Sequence, residues 1–158
     1  MFSIMFYQRH GPIVRTAKID DLHSVALLFD AYRQFYKQET DLSGATEFIG
    51  HRLKAKDSVI FVAVDQDEKV AGFTQLYPSF SSVAMRRLWI LEDLYVIPES
   101  RNRGVARSLL LHAKRFAEST ESVGLVLETA RDNHSAQSLY ESLGYKRETV
   151  FLKYSIAL

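Results

Sequence analysis

A chain of 158 residues that is 47% hydrophobic can form one compact domain with a substantial buried core. Charged residues make up 25% of it and the formal net charge is +1, so no overall field marks a nucleic-acid or membrane partner, and we expect neither. The absence of cysteine excludes disulfides, thiolate metal ligands and a cysteine nucleophile, and it fits a cytoplasmic protein.

The composition also argues against a metal enzyme and a membrane span. No stretch approaches the roughly 20 apolar residues that a spanning helix needs. The five histidines show no close ligand spacing, so each is expected to be a surface or structural residue and no metal is expected. Residues 1–11 are interpreted as an N-terminal extension and residues 12–158 as a single domain. The histidines are His10, His23, His51, His112 and His134.

The first half of the chain predicts a strand, two helices and a hairpin. Residues 12–17 are typical of a short strand. Apolar residues then recur at spacings of three and four from Leu22, which predicts a helix with Asp20 or Asp21 at its capping end. A second helix is expected over about 44–54. Two β-rich runs, SVIFVAVD and KVAGFTQLYP, are joined by the polar DQDEK and predict a hairpin.

The second half predicts strands that alternate with helices. The predicted order for the whole chain is β-α-α-β-β-β-α-β-α-β, an α/β fold with a mixed antiparallel and parallel sheet flanked by helices. The elements expected here are a strand at 86–96, an amphipathic helix at 104–119, a strand at 124–129 covered on both faces, a helix with Asn133 at its N-cap and Gly144 in the left-handed conformation at its C-terminal end, and a final strand at 146–156.

The turn RNRGVA, residues 101–106, is a candidate phosphate site. It fails the P-loop pattern because Val105 follows Gly104, and a dinucleotide fingerprint needs more glycines. A helix start nevertheless exposes free N–H groups and the positive end of the dipole. Arginines are unfavourable there unless an anion binds, and a glycine permits close approach. An ordinary solvated turn is the alternative. The candidate residues are Arg101, Asn102, Arg103, Gly104, Val105 and Ala106.

Two motifs together resemble one family. RNRGVA matches [QR]-x-x-G-x-[GA], the acyl-CoA pyrophosphate motif of the GNAT N-acetyltransferases, and residues 133–145 resemble that family's second motif. The resemblance implies the GNAT fold, with acetyl-CoA as cosubstrate and an amine as acceptor. By analogy it also implies a homodimer. The further residues implied at acetyl-CoA are Leu94, Tyr95, Val96, Asn133 and Tyr140.

Two side chains are candidates for proton transfer. The resemblance implies that Tyr140 protonates the leaving sulfur, whereas its spacing alone favours one more core aromatic residue. Glu92 is the predicted base, because regular pairing places it among apolar residues on one strand face, where a carboxylate is costly. LEDLYV is also similar to a strand of spermidine/spermine N-acetyltransferases that carries a glutamate at the amine. Asp93 is the rival, since a β-bulge could exchange the two orientations.

The acceptor is expected to lie against the first two helices and the end of the 73–82 hairpin. Two carboxylates suit a cationic small-molecule amine such as a polyamine, whereas Arg33, Arg86 or Arg87 would suit an acceptor that carries a carboxylate. Salt bridges from Glu92 to the last two arginines are the structural alternative. Acetylation of a protein N-terminus or lysine, and a silent acyl-CoA-binding module, are the functional alternatives. The candidate acceptor residues are Tyr32, Tyr36, Tyr77, Glu92 and Asp93.

Overall fold

A computed structural model describes residues 11–158, so the predicted extension 1–11 lies almost wholly outside the described residues. The chain divides into two compact units, one ending at Leu127 and the other running from Glu128 to Leu158. The expectation of one domain over 12–158 stays a prediction. The elements are β1 (Ile13–Thr16), α1 (Leu22–Phe35), α2 (Leu42–Ala55), β2 (Val59–Val64), β3 (Val70–Ser81), β4 (Arg86–Val96), α3 (Val105–Ser119), β5 (Gly124–Leu127) and α4 (His134–Ser142).

Five strands form one mixed sheet in the order β1-β2-β3-β4-β5. The first four are antiparallel neighbours, and β4 pairs in parallel with β5. A strand that feeds a helix and then a parallel neighbour is the expected use of a βαβ crossover, here through α3. The predicted α/β class and the parallel crossover are therefore confirmed.

Helices cover both faces of the sheet. On one face α1 and α2 pack on alternate residues of β2 and on β3. On the other face the Phe116 ring of α3 contacts Phe61 of β2 and Trp89 of β4, with ring centroids 5.3 and 5.0 Å apart. Residues two apart on a strand share a face, so β2 supplies Ile60 and Val62 to one core and Phe61 to the other. The first core consists of Val25, Leu28, Ile49, Ile60, Val62, Val64 and Phe73.

The predicted cap of the first helix is placed differently in the structure. Asp21 precedes α1 but makes no side-chain cap bond to it. Its carboxylate accepts from the Lys18 backbone N–H at 2.7 Å and from both terminal nitrogens of Arg15 at 2.7 and 2.9 Å. Asp21 therefore stabilises the short 3₁₀ turn before the helix and ties it to β1.

The predicted strand at 146–156 is wrong, because the structure has no strand in that segment. The Glu148 carboxylate accepts from the backbone N–H groups of Thr149 and Val150 at 2.7 and 2.6 Å, and from that of Phe151 at 3.3 Å. Backbone donors bonded to a local side chain are not available to a sheet ladder. The residues of this segment do alternate, but the alternation does not reveal the hydrogen bonds of Glu148 that compete with strand pairing.

The strand β5 is shorter than predicted and is not covered on both faces. It ends at Leu127, and Val126 is 45% exposed. In the sheet order β5 is an edge strand. Its apolar run, typical of a buried central strand, therefore did not indicate its true position.

Candidate active site

A β-bulge in β4 decides which carboxylate is buried. Gln75 of β3 pairs with Asp93, and Leu76 pairs with Leu91, so Glu92 is left without a partner on β3. The extra residue reverses the alternation of faces, and Asp93 turns inward while Glu92 is exposed. The prediction that Glu92 would be the carboxylate among buried groups is therefore wrong. Its rival Asp93 occupies that position, through the bulge that was named as the alternative.

The Asp93 carboxyl is held in a nearly closed environment. It is 5% exposed, and its Oδ2 accepts from the Gln75 side-chain nitrogen at 3.0 Å. Burial, followed by the charge of Glu92, raises the pKa of Asp93 to about 7, although hydrogen bonds from Gln75 and Tyr32 oppose the rise. A carboxyl that titrates near neutral pH is suited to accept and release a proton.

Three tyrosines surround this carboxyl: Tyr32 and Tyr36 on or beside α1, and Tyr77 on β3. Burial, and then the charge of Asp93, raises the pKa of all three, in Tyr77 to about 12. They are therefore neutral phenols at physiological pH. The Tyr32 hydroxyl donates to the backbone oxygen of Glu92 at 3.2 Å. Because a phenol has one proton, it bonds either this oxygen or the carboxyl of Asp93.

Aromatic rings of α1 and α2 form a wall beside these phenols. Phe29 and Phe48 stack with their centroids 5.2 Å apart and an interplanar angle of 7°. Tyr32 and Tyr36 meet edge to face at 5.1 Å. Tyr36 and Phe48 are both part-exposed, so the wall reaches the surface. The predicted acceptor side chains are thus brought together on one side of the sheet, with Glu92 at the margin.

Sequence reasoning missed Ser58 and Arg52 of this cluster, and it did not single out Gln75 within the predicted end of the 73–82 hairpin. Gln75 is fully buried, and its nitrogen also donates to the Tyr77 hydroxyl at 2.5 Å. The Ser58 hydroxyl donates to the Gln75 side-chain oxygen at 3.4 Å. Arg52 lies near Tyr77, where it opposes the rise in the phenol's pKa, and its Nε is 3.0 Å from Asp57. The available signal was the polar Gln75 within the apolar run GFTQLYP.

Beyond the bulge, β4 has an open edge. Its pairing with β5 ends at Leu91 and Leu127, yet β4 continues to Val96. The predicted unpaired stretch at 94–96 is therefore present on the β5 side within the described part of the chain. Backbone N–H and C=O groups on such an edge can bond an extended ligand as a strand would.

The turn before α3 has two left-handed residues, Asn102 with φ of 57° and Gly104 with φ of 80°. A Cβ on Gly104 would meet no atom within 4 Å, so the space beside it is open. Arg101 donates from Nε to the Val96 carbonyl at 3.0 Å and lies over the Tyr95 ring. Arg101 thus joins the turn to the end of β4, and Arg101 and Arg103 are both exposed.

The two candidates beyond Leu127 belong to the second unit. Asn133 caps α4, with its side-chain oxygen accepting from the Ala136 N–H at 3.2 Å, as predicted. Tyr140 lies in α4, and its ring is 5.9 Å from that of Tyr145. Gly144 ends the helix with φ of 89°, the left-handed conformation that was expected. The roles of Asn133 and Tyr140 stay predictions.

The arginines considered for an acceptor carboxylate have other partners. Arg33 pairs with Asp30 at 3.2 Å, Arg86 donates to the Glu121 backbone oxygen at 2.8 Å, and Arg87 lies over Phe80 and Trp89. No ion pair joins Glu92 to Arg86 or Arg87 among residues 11–158. An open depression of about 730 Å³ lies beside Arg86 and Arg87 and lacks the buried carboxyl, so we do not assign the site there.

No group of three or more histidine, aspartate or glutamate side chains in residues 11–158 is arranged to hold a metal ion. Within the same residues, no helix has both the length and the apolar content needed to cross a membrane.

Comparison with known proteins identifies the family. The profile of the acetyltransferase (GNAT) family matches residues 25–145, so this chain belongs to that family of acetyltransferases. It is 45% identical over 143 residues to the uncharacterized N-acetyltransferase YhfO of Bacillus subtilis (strain 168), covering 90% of this chain and 95% of that protein.

Two other matches agree. A probable acetyltransferase of Haemophilus influenzae is 36% identical over 119 residues, which are 75% of this chain and 80% of that protein. The crystal structure of a probable acetyltransferase superposes with a TM-score of 0.87 at 39% identity and covers 92% of this chain and 97% of that one. The family resemblance expected from the two motifs is confirmed.

Proposed function

We propose that this protein transfers the acetyl group of acetyl-CoA to a small, cationic primary amine, by direct attack in a ternary complex. The observation that carries the proposal is the buried Asp93 carboxyl among three neutral tyrosines. Asp93 replaces Glu92 as the proposed base, because Asp93 is buried and Glu92 is exposed.

Proton removal is the chemical need that Asp93 would meet. An alkylamine has a pKa of about 10.4, so roughly one molecule in a thousand is neutral near pH 7, and only the neutral form has a free nitrogen lone pair. A carboxylate with a pKa of about 7 is basic enough to take the ammonium proton and acidic enough to release it to water.

The surroundings of Asp93 favour a cation before that proton leaves. An ammonium would neutralise a carboxylate that is otherwise costly to bury. The rings of Tyr32 and Tyr36 would offer cation–π contacts, worth about 0.5–2 kcal/mol each, whereas Phe48 already stacks on Phe29 and lies under the Arg52 guanidinium. A single buried carboxyl within an aromatic wall fits a small amine better than an extended peptide. We therefore propose a metabolite acceptor ahead of a protein amine.

Features of the first unit support acetyl-CoA as the cosubstrate. The open space at Gly104, the start of α3, which no Gly104 side chain caps, and the charge of Arg103 fit a pyrophosphate. The open edge of β4 at Leu94, Tyr95 and Val96 fits an extended pantetheine arm. When bound, acetyl-CoA supplies an acetyl group activated as a thioester. A cytoplasmic homodimer remains a proposal by analogy.

The acidity of Asp93 predicts the pH profile. We expect kcat/KM for the amine to fall with unit slope as pH drops through about 7, because protonated Asp93 cannot accept the ammonium proton. Initial rates between pH 5.5 and 9.5 at saturating acetyl-CoA measure this limb. A constant kcat/KM between pH 6 and 8 would contradict the assignment of Asp93.

Tyr140 is proposed to protonate the departing thiolate. Tyr140→Phe is then expected to lower kcat by about 10²-fold or more, with acetyl-CoA affinity changed less than about threefold, since a ring without the hydroxyl keeps the packing but not the proton. Steady-state rates and calorimetric titration measure the two quantities. Tyr145→Phe removes a neighbouring hydroxyl in the same unit and serves as the control. Wild-type kcat in Tyr140→Phe would show that this phenol is not the acid.

A further inference from the structure

Gln75 is a polar side chain in a buried position, where apolar residues are the rule. It is fully buried and follows Phe73 on the face of β3 that packs against α1 and α2. An unsatisfied amide there would destabilise the fold, and an apolar residue of similar size would avoid that cost. In the structure the amide is satisfied by partners that belong to the candidate site.

The amide nitrogen of Gln75 donates to two of those partners. It donates to Asp93 Oδ2 at 3.0 Å and to the Tyr77 hydroxyl at 2.5 Å, so each amide hydrogen has its own acceptor. The amide oxygen accepts from Ser58 at 3.4 Å. A carboxylate can only accept, and therefore the nitrogen of the amide, rather than its oxygen, must face Asp93.

The bulge supplies the geometry for this contact. Gln75 and Asp93 are direct partners across β3 and β4, and the register shifts immediately after them, between Gln75 and Leu76. Opposite residues in an antiparallel pair have their Cβ atoms about 4.5–5.5 Å apart, so the two side chains meet on one face. The bulge that turns Asp93 inward thus also places it against the amide.

We propose that Gln75 is the positioning residue of this site: its amide holds one oxygen of the Asp93 carboxyl and leaves the other to accept the proton of the bound amine. This inference deepens the proposed function and rests on it. Gln75 does not touch the acceptor in this account. It acts through Asp93, and through Tyr77, whose hydroxyl oxygen it occupies.

Several charged or titratable groups face Asp93 and contribute to the electrostatic environment of its carboxyl. Glu92 comes from β4 itself, Tyr32 and Tyr36 from α1, and Tyr77 from β3. Arg52 of α2 and Asp57 interact with Tyr77. Among these groups the amide of Gln75 is a neutral donor, so it stabilises the carboxylate at every pH at which the carboxylate exists.

The direct test is the titration of the Asp93 carboxyl carbon by NMR in the protein without substrates. Gln75→Met keeps the length and volume of the side chain but removes the donor. Since a hydrogen bond to a charged group is worth about 1.5–3 kcal/mol, we expect the pKa of Asp93 to rise by about one to two units. The signal is assigned by its loss in Asp93→Asn. An unchanged pKa would overturn the inference.

Two more variants keep the test decisive. Gln75→Asn retains a buried amide but is one methylene too short to bridge Asp93 and Tyr77, so it should raise the same pKa even if Gln75→Met does not fold. Thr74→Val is the matched control. Thr74 is equally buried and adjacent, but its hydroxyl donates to the backbone oxygen of Asp93 at 2.8 Å, so it should leave the pKa unchanged.

The rate profile separates this inference from the proposed function. If Asp93 is the base, the acid limb of kcat/KM moves to higher pH by the same amount as the carboxyl pKa, and the Gln75→Met enzyme recovers activity at high pH. A carboxyl pKa that moves while the acid limb stays in place would support the positioning role of Gln75 and refute the role of Asp93 as base.

Discussion

Asp93→Asn is expected to lower kcat by about 10²- to 10⁴-fold, the range that positioned general bases contribute. Asparagine keeps the size of the side chain and can still bond within the cluster, but it cannot take the proton from an ammonium. The remaining activity should rise with pH and show no change of slope near pH 7, because only the small neutral fraction of free amine can then react. Steady-state acetyl transfer between pH 6 and 10 measures both effects.

The matched control is Glu92→Gln on the neighbouring residue. Glu92 is exposed and its carboxylate has no hydrogen bond or ion pair that the structure describes, so its loss should change kcat less than about tenfold. It should also lower the pKa of Asp93 slightly, since the Glu92 charge contributes to the rise. The reverse ranking, with Glu92→Gln inactive and Asp93→Asn active, would identify Glu92 as the general base.

Gly104→Ala is expected to weaken acetyl-CoA binding by about tenfold or more, measured by calorimetric titration. The new Cβ meets no protein atom within 4 Å, so it would project into the space assigned to the pyrophosphate. Alanine at a φ of 80° also costs about 1–2 kcal/mol of backbone strain, which lowers stability whether or not a ligand binds.

Gly144→Ala separates ligand binding from strain. Gly144 has a φ of 89°, and a Cβ there also meets no atom within 4 Å. Both variants should therefore lose similar stability in denaturant titrations, while only Gly104→Ala loses acetyl-CoA affinity. Equal losses of affinity in the two variants would mean that the turn at 101–106 does not form the pyrophosphate site.

Regular periodicity predicted most of the fold. The helix that begins at Leu22 buries one patterned face, the hairpin of β2 and β3 is largely buried on both faces, and the strand at 86–96 has the predicted bounds. The tail failed because its alternation competes with the local bonds of Glu148, a side-chain effect that no periodicity reveals.

The candidate site was predictable only in part, and the bulge is the reason. The sequence placed the turn at 101–106 before a helix and both carboxylates on one strand, as the structure has them, whereas phosphate binding at that turn stays a prediction. Whether Glu92 or Asp93 is buried depends on one inserted residue, and a slip of one residue exchanges the faces of a strand. Gln75 was not singled out within the predicted hairpin end, because its role depends on hydrogen bonds to a residue of another strand, which sequence order does not show.

The central claim is acetyl transfer to a small cationic amine at Asp93. Its most direct test is the release of free thiol from acetyl-CoA by purified wild-type protein, across polyamines, amino acids, aminoglycosides and short peptides, with Asp93→Asn in parallel. The account predicts thiol release with a small cationic amine and its near loss in the variant. Tight binding of acetyl-CoA with no release for any small amine, or release only with peptides, would contradict it.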